Sequence, residues 1–320
     1  MNGKKLLKEK SMSKISIIVP VYFSADTLML LYNDMKEKIL HRLGDYEIVL
    51  VDDGSGDNSW EVMNQIRDLD ENVKLVKLSR NFGEHAAIYA GLTQCTGDCA
   101  VTKQADLQED SELIIQMYDS WKKGNKVVLG VREERDEGFF TKFFANLYYS
   151  IVRKTIDKRM PVGGFDTYLL DRQVIKVIEL LDEKNSALTL QVLWAGFKTD
   201  MIYYHRKDRE IGKSTYTLAK KIKLAMDSMM SFSYFPIKFM SSVGVVFALL
   251  AFIWIIEVIC EYFFLGVPVQ GWSTLMCLVL FSTGLILLML GILGEYLWRT
   301  LDASRNRPVF LVDEVKDVRK

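Results

Sequence analysis

The residues best suited to chemistry lie in short polar clusters that directly follow apolar stretches. The first cluster is Asp52-Asp53-Gly54-Ser55, after the apolar stretch that ends at Val51. Carboxylates on such a tight turn can accept hydrogen bonds from the N–H groups of a nucleobase or from ribose hydroxyls. The same residue types are typical of a turn that caps a helix, so the cluster alone leaves both interpretations open.

A second cluster, Asp106-Leu107-Gln108, offers oxygen ligands of another kind. The Asp106 carboxylate and the Gln108 amide oxygen are hard donors, which Mg²⁺ and Mn²⁺ prefer. A metal held there could bind a diphosphate and neutralise the charge that develops on it as a leaving group. The alternative is a helix N-terminus capped by Asp110 or Ser111.

Alternating strands and helices would bring these clusters together. Apolar stretches bounded by turn residues predict this alternation through the first half of the soluble part. The predicted strands are 14–21, 46–51, 73–78, 99–103 and 127–130, and the predicted helices are 25–40, a helix ending at 69, 84–94 and 111–123. Such an α/β pattern is typical of a mostly parallel sheet covered on both faces. Ligands bind these sheets at the carboxyl ends of the strands, where both clusters and Ser79-Arg80-Asn81 fall.

Two long uncharged stretches follow in the C-terminal third. No charged residue occurs between Phe239 and Ile256, or between Tyr262 and Gly294. About 20 apolar residues at about 1.5 Å each cross the hydrocarbon core of a bilayer, so each stretch is long enough to span it. Glycine and proline interrupt the start of the second stretch, so its helix is predicted to begin at Trp272. The alternative is a pair of buried core helices in a soluble protein.

The charges around these stretches predict their orientation. Lysines precede the first stretch and arginines follow the second, whereas the connecting loop carries Glu257 and Glu261 and no Lys or Arg. By the positive-inside rule, both ends face the cytoplasm and the short loop faces outward. We therefore expect a plasma-membrane (inner-membrane) protein with two spans, whose N-terminal domain and termini are cytoplasmic.

Composition narrows the classes of function. The chain has 41 Lys and Arg against 41 Asp and Glu, so nucleic acid is not an expected partner. Its four cysteines contain no Cys-x-x-Cys pair, so neither a zinc site nor a disulfide framework is indicated. Residues 1–13 are polar and lysine-rich, which predicts a disordered tail rather than a signal peptide.

Short motifs spread over residues 14–312 resemble one known family in type and order. They resemble the motifs of family 2 glycosyltransferases and, more narrowly, of the polyprenyl-phosphate glycosyltransferases, which include bactoprenol glucosyltransferases and dolichol-phosphate mannose synthases. Each motif is short, but the ordered combination is specific. The motifs are Pro20-Val21-Tyr22, Val51-Asp52-Asp53-Gly54-Ser55-Gly56-Asp57, Arg80-Asn81-Phe82-Gly83, Ala105-Asp106-Leu107-Gln108, Arg206, Arg209, Gly212-Lys213-Ser214-Thr215-Tyr216, Ser231-Phe232-Ser233, Pro236 and Arg307-Pro308-Val309-Phe310.

The resemblance implies a GT-A fold, which is Rossmann-like, over residues 14–212, and an enzyme that transfers a sugar with inversion. The donor would be a nucleotide sugar, expected to be a UDP-linked hexose, and the cofactor Mg²⁺ or Mn²⁺. The acceptor would be polyprenyl (undecaprenyl) phosphate in the bilayer. The product would be a lipid-phosphate sugar donor for cell-envelope glycan modification. The resemblance also implies a homo-oligomer, expected to be a tetramer.

Site residues follow from these matches. Asp106 and Gln108 would bind the metal, and Asp166 would join Asp106, Arg206 and Arg209 in the catalytic centre. The expected nucleotide-sugar contacts are Pro20, Tyr22, Asp52, Asp53, Arg80, Gln104 and Ala105. The expected contacts to the lipid phosphate are Arg206, Arg209, Lys213 and Ser214. Guanidinium groups can bind a phosphate bidentately, although a solvated basic face would have the same composition.

Three positions depart from the family pattern. Gln104-Ala105-Asp106 stands where the family usually has Asp-x-Asp, so one carboxylate is missing and weaker metal binding is expected. Phe23-Ser24 replaces the Asn-Glu that commonly follows Pro-x-Tyr, which leaves the donor contacts at that turn open. Gly212-Lys213-Ser214-Thr215 shifts the lysine of the usual Gly-x-Ser-Lys motif by two places.

The acceptor chemistry favours cations near the membrane. A phosphate monoester has a second pKa near 6, so it is largely dianionic at neutral pH and needs little help from a general base. Residues 213–236 alternate lysines with apolar residues, which predicts an amphipathic helix in the membrane interface, and residues 139–151 could cover an acceptor groove. Both segments could equally be packing helices. The hairpin of spans is predicted at 237–298 and a cytoplasmic tail at 299–320.

Two other functions stay open. A processive polysaccharide synthase usually carries Gln-x-x-Arg-Trp, but Gln191-Val192-Leu193-Trp194 lacks the arginine. A degenerate transferase that acts as a membrane scaffold would fit the missing carboxylate at Gln104. His85 and His205 have no visible partner in the sequence and are predicted to be structural rather than general bases.

Overall fold

The chain forms two units in this computed structural model. The first consists of residues 1–222 with 308–320, and the second of residues 223–307. The structure describes residues 13–133, 149–150, 152–154, 156–181, 183, 187–205, 235–260 and 271–318.

An eight-stranded sheet forms the centre of the described part of the first unit. The strands are β1 (Ile15–Val21), β2 (Tyr46–Asp52), β3 (Val73–Leu78), β4 (Cys99–Thr102), β5 (Val127–Arg132), β6 (Phe165–Asp171), β7 (Thr199–Tyr204) and β8 (Val312–Lys316). Their order is β7-β5-β6-β4-β1-β2-β3-β8. Every residue of β1 and β4 is buried, as expected for strands covered on both faces.

The helices of this unit connect the strands and cover the sheet. They are α1 (Ala25–Met35), α2 (His41–Leu43), α3 (Ser59–Leu69), α4 (Glu84–Gln94), α5 (Glu112–Lys122), α6 (Arg172–Leu181) and α7 (Leu188–Trp194). A π-helical turn, Lys36–Leu40, joins α1 to α2. The predicted α/β alternation through residue 130 is confirmed.

Strand register aligns the loops that carry the polar clusters. β1 and β2 pair in parallel with Val21 opposite Asp52, and β2 pairs in parallel with β3, with Asp52 opposite Lys77. β4 also runs parallel to β1, with Thr102 opposite Ile18. The loops that follow these four strands therefore leave the sheet at one edge, which we call the carboxyl edge.

β6 brings a further segment to the carboxyl edge. It lies between β4 and β5 and runs antiparallel to both. Its first residue, Phe165, pairs with Val131 near the end of β5, so Asp166 lies at the carboxyl edge although it begins a strand. This reversal makes the sheet mixed rather than wholly parallel.

The C-terminal residues belong to the first unit. β8 pairs antiparallel with β3, the Ser79 N–H donates to the Leu311 carbonyl at 3.0 Å, and Lys74 pairs with Asp317 at 3.1 Å. The sequence predicted only a tail over residues 299–320. The structure adds an edge strand there, immediately beside the loop that follows β3.

The second unit contains two long helices, α8 (Phe235–Cys260) and α9 (Trp272–Ser304). Both are long and apolar enough to cross a membrane, and α9 begins at the residue predicted from the sequence. In α8 only 6% of the apolar segment Ile237–Trp254 is buried within the described chain. In α9 the corresponding share of Phe281–Ser304 is 0%. The alternative of two core helices buried in a soluble protein does not fit this exposure.

Candidate active site

The turn after β2 presents one unpaired carboxylate oxygen. Asp52 is fully buried, and its Oδ1 accepts a hydrogen bond from the Ser55 N–H at 3.0 Å. Its Oδ2 is also buried and finds no hydrogen-bond partner among the described residues. A buried acceptor without a donor is costly, so this oxygen is suited to accept a hydrogen bond from a ligand.

Asp53 has a different role in the same turn. Its Oδ1 accepts the Phe82 N–H at 2.7 Å and its Oδ2 accepts the Gly83 N–H at 2.9 Å. Burial raises the pKa of Asp53 and the neighbouring Asp52 adds to the rise, whereas the two N–H donors and Arg80 oppose it. Asp53 therefore fixes the loop after β3 against the loop after β2.

Gly54 allows these two loops to touch. Its φ is +69°, and a Cβ at this position would lie 2.6 Å from the Arg80 carbonyl carbon and 2.6 Å from the Asn81 nitrogen. No side chain fits that space, because both neighbours are backbone atoms. The Arg80 side chain is exposed, and its guanidinium lies 4.0 Å from the centre of the Phe82 ring.

A carboxylate that the sequence analysis did not single out lies beside Gln104. The Gln104 amide donates to Glu84 Oε1 at 2.6 Å. Glu84 begins α4, directly after the Arg80-Asn81-Phe82-Gly83 motif. The resemblance implied that a carboxylate is missing at Gln104; in the structure the Glu84 carboxylate, from another element, lies beside this residue. The sequence did contain one indication of this role, because Glu84 directly follows the polar loop after β3.

The loop of Asp106 and Gln108 is built on a buried lysine. Asp106 Oδ1 accepts the Gln108 N–H at 3.2 Å, and Leu107 between them has a positive φ of 60°. Lys103 is buried below and donates to the Glu109 carbonyl at 2.5 Å. Burial lowers the pKa of Lys103, while Glu109 and other carboxylates, Asp106 among them, oppose that shift.

The oxygen donors of this loop fit a divalent metal that also binds a diphosphate. Among the described residues no group of three His, Cys, Asp or Glu side chains could enclose a metal. Mg²⁺ commonly needs only one or two protein carboxylates, because substrate phosphates and water complete its coordination. Asp106 and Gln108 are of the right chemical type for such an open site.

Asp166 and its neighbours form a charged network on β5, β6 and β7. Asp166 pairs with Arg132, the last residue of β5. The next residue along β6, Thr167, donates to buried Glu109, which also accepts the Tyr204 hydroxyl at 3.1 Å. Burial raises the pKa of Tyr204 to about 12, with a further contribution from Glu109. Arg132 therefore fixes Asp166, while Glu109 joins Thr167 of β6 to Tyr204 of β7.

The two histidines differ from each other. His85 is half-buried, its buried Nδ1 has no partner in the described residues, and desolvation lowers its pKa despite nearby Glu84. A neutral structural histidine fits this position. The sequence shows no partner for His205, but the structure provides one: its Nε2 lies 2.6 Å from Glu133 Oε2.

The remaining predicted site residues fall into two groups. Pro20 is buried within β1, Tyr22 follows β1 with 43% of its surface exposed, and buried Ala105 follows β4, so all three lie at or near the carboxyl edge. Arg206, Arg209, Lys213 and Ser214 lie outside the described residues, as do residues 213–234 of the predicted amphipathic segment and 139–148 of the aromatic one.

The fold and the residues of the carboxyl edge define the class of protein. A model of the family described as "Glycosyl transferase family 2" matches residues 16–179, about half of the chain. The chain belongs to this family: it is a glycosyltransferase with a GT-A-type fold.

Relatives match nearly the whole length. A Bacillus subtilis (strain 168) protein, named uncharacterized glycosyltransferase YkcC, is 36% identical over 93% of each chain. A prophage bactoprenol glucosyl transferase homolog of Escherichia coli (strain K12) is 31% identical over 95% of this chain and 99% of its own. Among solved structures, a Mycobacterium tuberculosis glucosyl-3-phosphoglycerate synthase in complex with Mn²⁺ and UDP-glucose is similar to 67% of this chain, over 76% of its own length. The sequence identity is 15% and the TM-score is 0.47, so this similarity supports no argument about substrate or metal.

Proposed function

We propose that this protein transfers a hexose, with inversion, from a nucleotide sugar to polyprenyl phosphate in the membrane. The donor is a UDP-hexose and the acceptor undecaprenyl phosphate, and the product supplies sugar for modifying cell-envelope glycans. One observation carries the proposal: similarity to relatives named bactoprenol glucosyl transferase extends over 95% of this chain and so includes both apolar helices. A soluble acceptor would not require those helices.

The β2–β3 side of the carboxyl edge supports binding of the nucleoside. The unpaired Asp52 oxygen can accept a hydrogen bond from a base N–H or a ribose hydroxyl, and exposed Tyr22 adjoins it at the end of β1. Arg80 offers a cation for the diphosphate. Gln104 and Ala105 complete the expected contacts.

The β4–β6 side supports the transfer. Asp106 and Gln108 would hold Mg²⁺ or Mn²⁺, which would neutralise negative charge on the departing diphosphate. A phosphate oxygen of the acceptor forms a bond to the anomeric carbon as the bond from that carbon to the diphosphate breaks. Asp166, fixed by Arg132, orients the acceptor or a cation beside it.

The acceptor brings a second anion close to the diphosphate, so further cations are needed. We assign this role to Arg206, Arg209 and Lys213, with Ser214 as a hydrogen-bond donor. In this arrangement residues 14–212 form a cytoplasmic catalytic domain, 213–236 lie in the interface, and 237–298 cross the membrane twice with both termini in the cytoplasm. Assembly into a homo-oligomer is part of the same proposal.

A donor screen tests the function. Membranes that contain the full chain are incubated with undecaprenyl phosphate and labelled UDP-glucose, other UDP-hexoses or GDP-mannose, with Mn²⁺, Mg²⁺ or EDTA. We expect metal-dependent label in the lipid extract with one donor, and almost none with the Asp106→Asn variant. Absence of lipid label with every donor would instead support a membrane scaffold.

A further inference from the structure

Phe23 has a backbone conformation that aromatic residues rarely adopt. It follows β1 and Tyr22, and its φ is +52°, in the left-handed region. For a bulky side chain this conformation is strained, and such strain persists only where the surroundings enforce it. Asparagine tolerates the left-handed region far better than a bulky aromatic residue does. The chain therefore carries an aromatic ring at a conformational cost.

Hydrogen bonds from the neighbouring turn enforce this conformation. The Phe23 N–H donates to Ser55 Oγ at 3.2 Å, and the Ser24 N–H donates to Ser59 Oγ at 3.0 Å. The Ala25 N–H donates to Asp57 Oδ2 at 3.4 Å. The loop after β1 is thus attached to the loop after β2, close to the Asp52 carboxylate.

Packing within the described chain does not account for the ring. Phe23 is 57% exposed and Tyr22 is 43% exposed, and the two rings meet edge to face with their centres 4.7 Å apart. Gly56 also lies close to the ring, since an added Cβ there would lie 3.4 Å from Phe23 Cζ. An aromatic ring held in a strained conformation and left exposed at the edge of a site is suited to a ligand that covers it.

We propose that Phe23 stacks on the nucleobase of the donor. This inference rests on the proposed function and adds a residue that determines nucleotide affinity. The Phe23 N–H is bonded to Ser55, in the turn that also carries Asp52 and its unpaired Oδ2, so the ring adjoins the loop expected to bind the nucleoside. Stacking of a base on an aromatic side chain contributes about a 5-fold to 100-fold gain in affinity.

The substitution Phe23→Asn separates this role from a structural one. Asparagine relieves the strain, so the unfolding temperature should rise, while UDP binding should weaken by about 10-fold or more. Phe23→Trp keeps a stacking surface and should bind UDP within a few-fold of the wild type. Tyr203→Asn removes another exposed aromatic side chain, on β7, and should leave UDP binding unchanged.

The measurement is calorimetric titration of the purified full-length protein in detergent with UDP and with inorganic pyrophosphate, both with Mn²⁺. We expect Phe23→Asn to weaken UDP binding and to leave pyrophosphate binding unchanged, because pyrophosphate has no base. Equal UDP affinity in wild type and Phe23→Asn would overturn the inference, and so would an equal loss of UDP and pyrophosphate affinity in that variant. If the wild type itself binds neither UDP nor GDP, the proposed function fails as well.

Discussion

The two halves of the carboxyl edge are held together by different kinds of contact. In the half formed by residues 52–55 and 80–83, which we call the donor half, backbone meets backbone at Gly54 and Asp53 accepts two backbone N–H groups. In the half formed by Lys103–Glu109, Arg132 and Asp166, the transfer half, contacts between side chains predominate.

This difference assigns different tasks to the halves. Contacts to the backbone cannot change partners unless the loops themselves change conformation. The donor half is therefore preformed, which suits the nucleotide, because every reaction cycle uses the same one. Ion pairs and side-chain hydrogen bonds can exchange partners when charge moves, as a departing diphosphate and an arriving phosphate require. Changes in the donor half should therefore affect donor binding and stability, and changes in the transfer half should affect turnover.

The largest effect is expected for Gly54→Ala. The new methyl group would overlap the backbone of Arg80 and Asn81 and strain a positive φ, so we expect a loss of about 3 kcal/mol or more in unfolding free energy. The affinity of this variant for UDP should also be lower than that of the wild type. Gly124→Ala is the matched control, because Gly124 also has a positive φ (94°) but nothing within 4 Å of the added Cβ. The control should lose about 1–2 kcal/mol. Similar losses in the two variants, from denaturant titration, would contradict the loop contact.

Asp166→Asn should separate binding from turnover. The amide keeps the shape but removes the charge opposite Arg132, so we expect kcat to fall about 100-fold or more. UDP affinity should change less than a few-fold. The control is Asp171→Asn at the other end of β6, which disrupts a pair with Lys126 away from the carboxyl edge. An Asp166→Asn enzyme with wild-type kcat would remove Asp166 from the mechanism.

Gln104→Asp tests whether Glu84 stands in for the missing carboxylate. The new aspartate would face Glu84, and two adjacent carboxylates repel each other unless a cation lies between them. In EDTA we expect the unfolding temperature to fall by about 2–4 °C. Mn²⁺ should restore more stability to this variant than to the wild type. Identical melting curves for both proteins with and without Mn²⁺ would show that Glu84 does not contribute to a metal site.

The smallest effect concerns His85. Burial lowers its pKa below the usual 6.5, so below about pH 6.5 the unfolded chain binds a proton that the folded protein does not. Stability from this group is present above pH 6.5 and is lost as the pH falls toward the lowered folded-state pKa. His85→Gln should therefore show a flatter decline in unfolding free energy between pH 7 and 5. A decline as steep as that of the wild type would contradict a buried neutral histidine.

The strands that could be predicted are those with a continuous apolar signal. β1 to β5 are buried on both faces and read as apolar stretches, which a local pattern reveals. β6, β7 and β8 were not assigned. β8 is an exposed edge strand whose sequence is Val-Asp-Glu-Val-Lys, so only its pairing with β3 distinguishes it from a tail.

The site was predictable where its residues directly follow such strands, as Asp52, Asp53 and Asp106 do. Contacts between residues distant in sequence could not be predicted, because a local sequence pattern does not show which residue a side chain will contact. Gln104 and Glu84 are 20 residues apart, and Arg132 and Asp166 meet only because β5 and β6 are adjacent and antiparallel. The different roles of Asp52, which has an unpaired acceptor oxygen, and Asp53, which joins two loops, became clear only from their hydrogen bonds in the structure.

The central claim is that one hexose is transferred to a lipid phosphate at this edge. The most direct measurement is mass spectrometry of the lipid product made by the purified protein in vesicles that contain undecaprenyl phosphate, with release of the nucleoside diphosphate followed in parallel. We predict a polyprenyl phosphate that carries a single hexose, with one nucleoside diphosphate released for each lipid. A lipid that carries a chain of sugars, or sugar found only on water-soluble acceptors, would contradict the account.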